Sequence, residues 1–247
     1  MKKSSDIYHG EDRSLKRIFS HPKMIESLIK GFVPEEWANE IDFTTLRKMN
    51  VKHTTRELLT RENDVIWEMK FRDQVLYLVF VLELQSIVDQ FMSVRLLTYV
   101  GLIYQQVIRE GKNSLTVDGK LPPVFSFVYY NGDKPWDAPL HLKECYSHLI
   151  PKGLKKYLPN IEYKVLDLNN VPLEKVEKME DNIIVPFIEI KQSDNPNTSG
   201  QGVRKLIDLL KSDELAELRE DILVYLKRVF KLKARYPGKE IKNLEEV

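Results

Sequence analysis

Between positions 12 and 32, Leu15, Ile18, Phe19, Met24, Ile25, Leu28 and Ile29 recur mostly at three- and four-residue steps, the period of a helix with one buried stripe. Pro22 falls inside that stripe; without an N–H it must start a new helix or kink the old one, so two short helices are expected. Pro34-Glu35-Glu36-Trp37 reads as a third helix start, with proline in the first turn and acids against the helix dipole. Positions 43–61 are less patterned, and predict one short strand around 46–51 followed by a polar connection. The pattern then sharpens. Residues 64–71 and 75–85 are rich in strand formers and flank the turn-like Arg72-Asp73-Gln74, which predicts a hairpin. The second strand is apolar from 75 to 82, as in a strand buried on both faces.

A helix is predicted from about 90 to 110, because Val94, Leu97, Leu102, Ile103, Val107 and Ile108 form a broad apolar stripe and Gly111 supplies a stop. Pro122-Pro123 precedes a strand over 124–130 closed by Asn131-Gly132, and a further strand is expected over 163–168. Beyond Asn170 the pattern turns helical, with a polar break over 193–200 and a long helix from 213 to about 235. Its positions Leu215, Leu218, Ile222, Tyr225, Leu226, Val229 and Phe230 form one face. The order predicts an α/β fold with a mixed central sheet flanked by helices. We divide the chain at the shift in composition, into a domain over 1–170 and a mainly helical region over 171–247.

Composition adds boundaries rather than identity. With 247 residues, 43% apolar and 30% charged, the chain has the makeup of a soluble globular protein and excludes a peptide hormone or a disordered tail. Lys and Arg number 38 against 37 Asp and Glu, so no overall field draws it to nucleic acid or an anionic membrane. Cys145 is the only cysteine, which leaves no internal disulfide or CxxC pair and makes the cytoplasm the expected location. The basic start lacks the apolar stretch of a signal peptide, and the apolar run over 75–82 is too short to span a bilayer, so no membrane partner is expected.

Chemistry enters where the buried hairpin turns polar. Glu83 and Gln85 are two apart on one strand and share a face, whereas Leu84 belongs to the other. Asp64 opens the neighbouring strand, and in a hairpin of this length lies beside Glu83. Two carboxylates ending an apolar sheet are costly to bury without compensation, and a hard cation with oxygen ligands compensates them. The plain alternative is that polar strand ends are common and either acid is exposed or paired with a lysine. The five histidines show no zinc-like spacing, and no nucleophile-elbow or phosphate-loop motif occurs. Cys145 reads as a small buried residue, and Phe125, Phe127, Tyr129 and Tyr130 as core rather than a stacking platform. Basic residues crowd near the C-terminus, among them Lys231, Lys233 and Arg235. They suit a solvated helix face or a phosphate-contacting patch.

An acid, a strand break and then Glu-x-Gln on the next buried strand resembles the PD-(D/E)XK nuclease core, in which Gln can replace Lys. The blocks Asp12-Arg-Ser-Leu-Lys-Arg-Ile-Phe-Ser-His-Pro22, Asp64-Val-Ile-Trp67, Val81-Leu-Glu-Leu-Gln-Ser86, Met92-Ser-Val-Arg-Leu-Leu-Thr-Tyr99 and Leu121-Pro-Pro-Val-Phe-Ser-Phe-Val-Tyr-Tyr-Asn-Gly132, with Pro135-Trp136, extend the likeness. In order and spacing they are similar to the recombination-promoting nuclease family, also called the YhgA-like transposases. That resemblance implies a PD-(D/E)XK restriction-endonuclease-like core and a metal-dependent DNA endonuclease. It sets Asp64, Glu83 and Gln85 on active-site positions, the carbonyl of Leu84 among the metal ligands, and Asp12 on the acidic position of the first helix. The expected cofactor is Mg²⁺, with Mn²⁺ or Ca²⁺ as alternatives; the expected partner is DNA, and a homodimer is compatible. The family usually has His-Asp at Glu11-Asp12, Glu-His-Gln at Glu83-Leu84-Gln85 and Tyr-His-Gly at Tyr130-Asn131-Gly132, and an upstream acid near Thr55. These departures keep open a catalytically silent member that binds DNA or protein through the same fold.

Overall fold

The hairpin expected from the sequence forms the middle of a five-stranded sheet whose strands lie side by side in chain order. The computed structural model describes residues 14–49, 64–72, 74–83, 88–193 and 196–232. Strands β2 (Asp64–Phe71) and β3 (Gln74–Glu83) pair antiparallel without a bulge, from Phe71 opposite Gln74 to Asp64 opposite Val81. The chain turns at Arg72, whose φ of 53° lies in the left-handed region, as a tight hairpin turn demands. Strand β4 (Val124–Tyr130) runs parallel to β3, from Val124 beside Tyr77 to Tyr130 beside Glu83. The connection between them carries helix α3 (Met92–Glu110), which ends at Gly111 with φ 79°.

The described residues fall into two compact units, one taken from Glu40–Leu166 and the other from Met1–Asn39 with Asp167–Val247. In the first unit the apolar stripe of α3 meets one face of the sheet. Met92, Leu96, Tyr99, Ile103 and Val107 form a core with Tyr77, Val79 and Val81 of β3 and Val128 of β4. Tyr163, just before β5 (Lys164–Asp167), completes it. The opposite face of the sheet is apolar as well: Trp67, Met69, Leu76, Leu78, Phe80, Phe127 and Tyr129 are all buried. Thus β3 is covered on both faces, which is why its sequence runs apolar instead of alternating. The mixed sheet and its helices make this an α/β fold, as expected.

Four sequence expectations need correction. Of the stripe expected for α3, Ile103 and Val107 are buried but Val94 and Ile108 are exposed; the buried line starts from Met92 and runs through Leu96 and Tyr99, which sets the packed face off from the one read from the sequence. Strand β1 (Ile41–Lys48) begins five residues before the expected start at 46, since its outer position tolerates Asp42, Thr44 and Arg47 and a register irregularity lies between Asp42 and Arg47. The third helix start becomes a 3-10 helix, Glu36–Glu40. The polar stretch 193–200 is a helix from Pro196 onward.

The second unit is helical. Its described first helix covers 14–18 (α1), and α2 (Pro22–Phe32) starts at the proline as expected. After the one-turn helices α4 (Lys152–Lys155) of the first unit and α5 (Leu173–Val176) come α6 (Val185–Gln192), α7 (Pro196–Leu209) and α8 (Ala216–Leu232). Proline suits the first turn of α7, and the absence of a side chain at Gly202 lets that helix close on α6, because a Cβ there would stand 3.0 Å from Ile190. Asn182 ties α2 to the start of α6: its amide donates to the Ser27 carbonyl at 2.7 Å, and its oxygen accepts from the Ile184 N–H at 2.9 Å. Leu218, Ile222, Tyr225 and Leu226 give α8 the buried face read from the sequence.

Candidate functional site

Asp64 is the first residue of β2 and Glu83 the last of β3. Because Asp64 pairs with Val81, Glu83 is its diagonal neighbour two residues on, and positions 64, 81 and 83 share one face of the sheet. Diagonal neighbours on paired strands lie roughly 7 to 8 Å apart at Cα. The face is the one covered by α3, so the two acids terminate a surface whose next members, Val81 and Val79, are fully buried. The place is also where the parallel strands β3 and β4 end at their carboxyl termini. Open α/β sheets bind ligands in the crevice at that edge.

A built aromatic floor lies beside it. Tyr130, the register partner of Glu83, is fully buried and meets Trp136 edge-on with ring centroids 5.0 Å apart; Trp136 in turn meets Tyr163 at 6.2 Å. Val88 and Ala138 close the cluster. Gly132 is buried against the Tyr130 ring and hydroxyl, with no room for a Cβ, which explains the Tyr-x-Gly ending of the β4 block. The Gln90 amide donates to Asp137 at 2.6 Å, and the Phe91 N–H donates to Asp89 at 3.0 Å, fixing the loop that leads into α3. The sequence placed Tyr130 in the core but gave Trp136 no role. Its signal was the Pro135-Trp136 pair after the strand.

The same sheet face carries a second polar group at its far end. The Arg47 Nε donates to Glu68 at 3.0 Å across β1 and β2, and this carboxylate holds the guanidinium pKa above its ordinary value. Next to Glu68 in register is Tyr77, whose phenol is pushed up by burial first and by the Glu68 and Glu110 carboxylates second. Glu110 is held below the usual carboxylate range by hydrogen bonds from Gln106 and Ser114. The plain reading of strand acids therefore applies to Glu68, which is paired with arginine.

Of the other expected site residues, Asp12, Leu84, Gln85, Lys233 and Arg235 lie outside the described residues, and Lys231 is a position on α8. Among the described residues no three His, Cys, Asp or Glu groups are arranged to hold a metal. Cys145 is a free, half-buried thiol 3.5 Å from the Ser93 hydroxyl.

Residues 9–220 match the sequence profile of the family described as "Putative transposase, YhgA-like". The chain belongs to that family. It is also 22% identical, over 169 residues, to the recombination-promoting nuclease RpnD of Escherichia coli O157:H7, a match covering 67% of this chain. The chain spans about three fifths (61%) of the length of that curated relative. No solved structure matches it. No helix of the described residues is long and apolar enough to cross a membrane.

Proposed function

We propose that the chain is a divalent-metal-dependent DNA endonuclease in which Asp64 and Glu83 form the acidic pair of the active site. The observation that carries this reading is the hairpin register, which makes the two acids diagonal neighbours on one face at the carboxyl edge of β3 and β4. The family membership and the relative's name, recombination-promoting nuclease, support it, since breaking a phosphodiester bond is the step that recombination and transposition share.

Asp64 and Glu83 would hold the cation with charged oxygens, and the backbone carbonyl of Leu84 would add a neutral one. A bound Mg²⁺ supplies an activated water and offsets the negative charge that develops on the phosphate. Gln85 follows Glu83 by two positions in the sequence, and its amide would accept from the water or donate to a phosphate oxygen. It brings no positive charge, so the acidic pair and its cation carry more of the electrostatic task than in a chain with lysine there. Supercoiled plasmid incubated with the purified protein in Mg²⁺ or Mn²⁺ is expected to be nicked, and EDTA to stop the nicking. Plasmid retained in a gel shift but left uncut under every metal would replace this reading with a DNA-binding module.

A further inference from the structure

Residues 142–161 leave the sheet region and return to it as one closed excursion. Its base is fastened by the His141–Glu162 bridge, by the Leu142 N–H donating to the Ile161 carbonyl at 2.9 Å, and by the Tyr163 N–H donating to Leu140 at 3.3 Å. Within it, Tyr146 Oη donates to the Pro159 carbonyl at 2.8 Å and Lys143 N–H to Asn160 at 3.1 Å, so the excursion is a built arm. The tip contradicts ordinary surface chemistry. Leu149, Leu154 and Tyr157 are 88%, 54% and 71% exposed. Around them Lys152, Lys155 and Lys156 are exposed, and the Lys156 ammonium stands 5.0 Å over the Tyr157 ring. No Asp or Glu occurs from position 145 to 161, in a chain whose charges otherwise cancel to +1.

An exposed ring among lysines, in a segment without acids, has the two parts of a single-strand platform, a stacking surface and a phosphate-neutralising rim. The base of the arm adjoins the proposed active edge: Tyr163 meets Trp136, Trp136 meets Tyr130, and Tyr130 pairs with Glu83. We infer that the arm over 148–157 binds single-stranded DNA, with Tyr157 stacking on an unpaired base and Lys152, Lys155 and Lys156 contacting phosphates. This rests on the nuclease reading for its choice of nucleic acid, and it narrows the substrate to DNA that carries an unpaired stretch. The lysine rim suits a polyanion, and the continuity of the arm's base with the proposed active edge favours DNA over the competing occupant, an anionic lipid surface.

Binding in EDTA separates this inference from the cleavage chemistry. A labelled twenty-nucleotide thymidine strand and a duplex of the same length are titrated with the full chain by fluorescence anisotropy. Tyr157→Ala is expected to weaken single-strand binding roughly five- to a hundredfold, Tyr157→Phe to bind like wild type, and duplex binding to be unaffected by either. Changing Lys152, Lys155 and Lys156 to Glu together weakens single-strand binding most at low salt and so flattens its salt slope. All four side chains are exposed, so folding is not at stake. A wild type that binds the strand through Tyr157 but cuts nothing supports the arm and removes the nuclease reading. A wild type that nicks plasmid yet binds the strand equally well with Tyr157→Ala overturns the arm alone. Loss of binding to phosphatidylserine vesicles in the lysine variant, with strand binding unchanged, overturns it in favour of the lipid surface.

Discussion

At the scale of single residues, Gly132 is the sharpest test of the aromatic floor. A methyl group there collides with the Tyr130 ring and hydroxyl, and that ring is fully buried, so it must be displaced within the core. Gly132→Ala is expected to cost about 1 to 3 kcal/mol, the range of overpacked cores, read as a lower midpoint in urea. A wild-type midpoint would mean the loop after β4 adapts freely. Gln85 is tested by a pair of substitutions. Gln85→Lys should retain more cleavage than Gln85→Leu, because lysine can donate to phosphate and leucine cannot; equal rates in both would remove Gln85 from the site. Asp12 suits a helix N-cap as well as the acidic position implied by the family resemblance. Asp12→Asn keeps a cap but loses the charge, so reduced cleavage with unchanged melting would favour the acidic role, and full cleavage would leave the cap sufficient.

Elements obey the same bookkeeping of burial and charge. Leu96 sits fully buried where α3 crosses β3, so Leu96→Ala is expected to cost about 2 to 5 kcal/mol, whereas exposed Val94 on the same helix should be indifferent. Arg17 on α1 reaches the buried carboxylate of Asp221 on α8 at 2.6 Å. Removing the arginine leaves a buried charge without its ion pair, while removing the aspartate also removes the burial cost. Arg17→Ala should therefore destabilise more than Asp221→Ala in thermal melts; the reverse order would show that Asp221 is held chiefly by other groups. What the sequence revealed follows the strength of burial. The hairpin, β4 and the span of α3 were legible because buried strands and a long helix each write their own period, but the face of α3 was read off by one step, since apolar Val94 and Ile108 are exposed while Leu96 and Tyr99 pack inward. Strand β1 was misplaced because Asp42, Thr44 and Arg47 give an edge strand a polar sequence, and Asp42 is satisfied by Thr44, whose N–H donates to it at 3.0 Å. Helix α7 hid among turn formers because its packing depends on a missing side chain at Gly202, which period analysis counts as a breaker. Trp136 escaped because a lone aromatic in a loop has no period.

For the whole molecule, pH should narrow stability from both sides. Glu26 is pulled below the usual carboxylate range: burial alone would raise it, but hydrogen bonds from Lys30 and Lys23 outweigh that. Its contribution is present above the unfolded carboxylate pKa and is lost as pH falls through the folded value. Tyr77 and Tyr163 are pushed up, chiefly by burial. Their contribution is complete below the unfolded tyrosine value of about 10 and is lost as pH rises beyond it. Denaturation midpoints should fall at both extremes, and Glu26→Gln should flatten the acid limb; an unchanged limb would assign it to other carboxylates. The near-neutral charge makes any DNA affinity local. If Lys231, Lys233 and Arg235 contact phosphates, reversing them together should flatten the plot of log affinity against log salt by about 0.9 per lost duplex contact, and an unchanged slope would leave them a solvated face. The most direct measurement is plasmid nicking in Mg²⁺ by wild type, Asp64→Ala and Glu83→Ala, each with its melting temperature recorded. The account predicts that wild type nicks, that both variants lose nicking, and that both melt within a few degrees of wild type, since two acids of like charge gain nothing from each other without a cation. Nicking at the wild-type rate by either folded variant would contradict it.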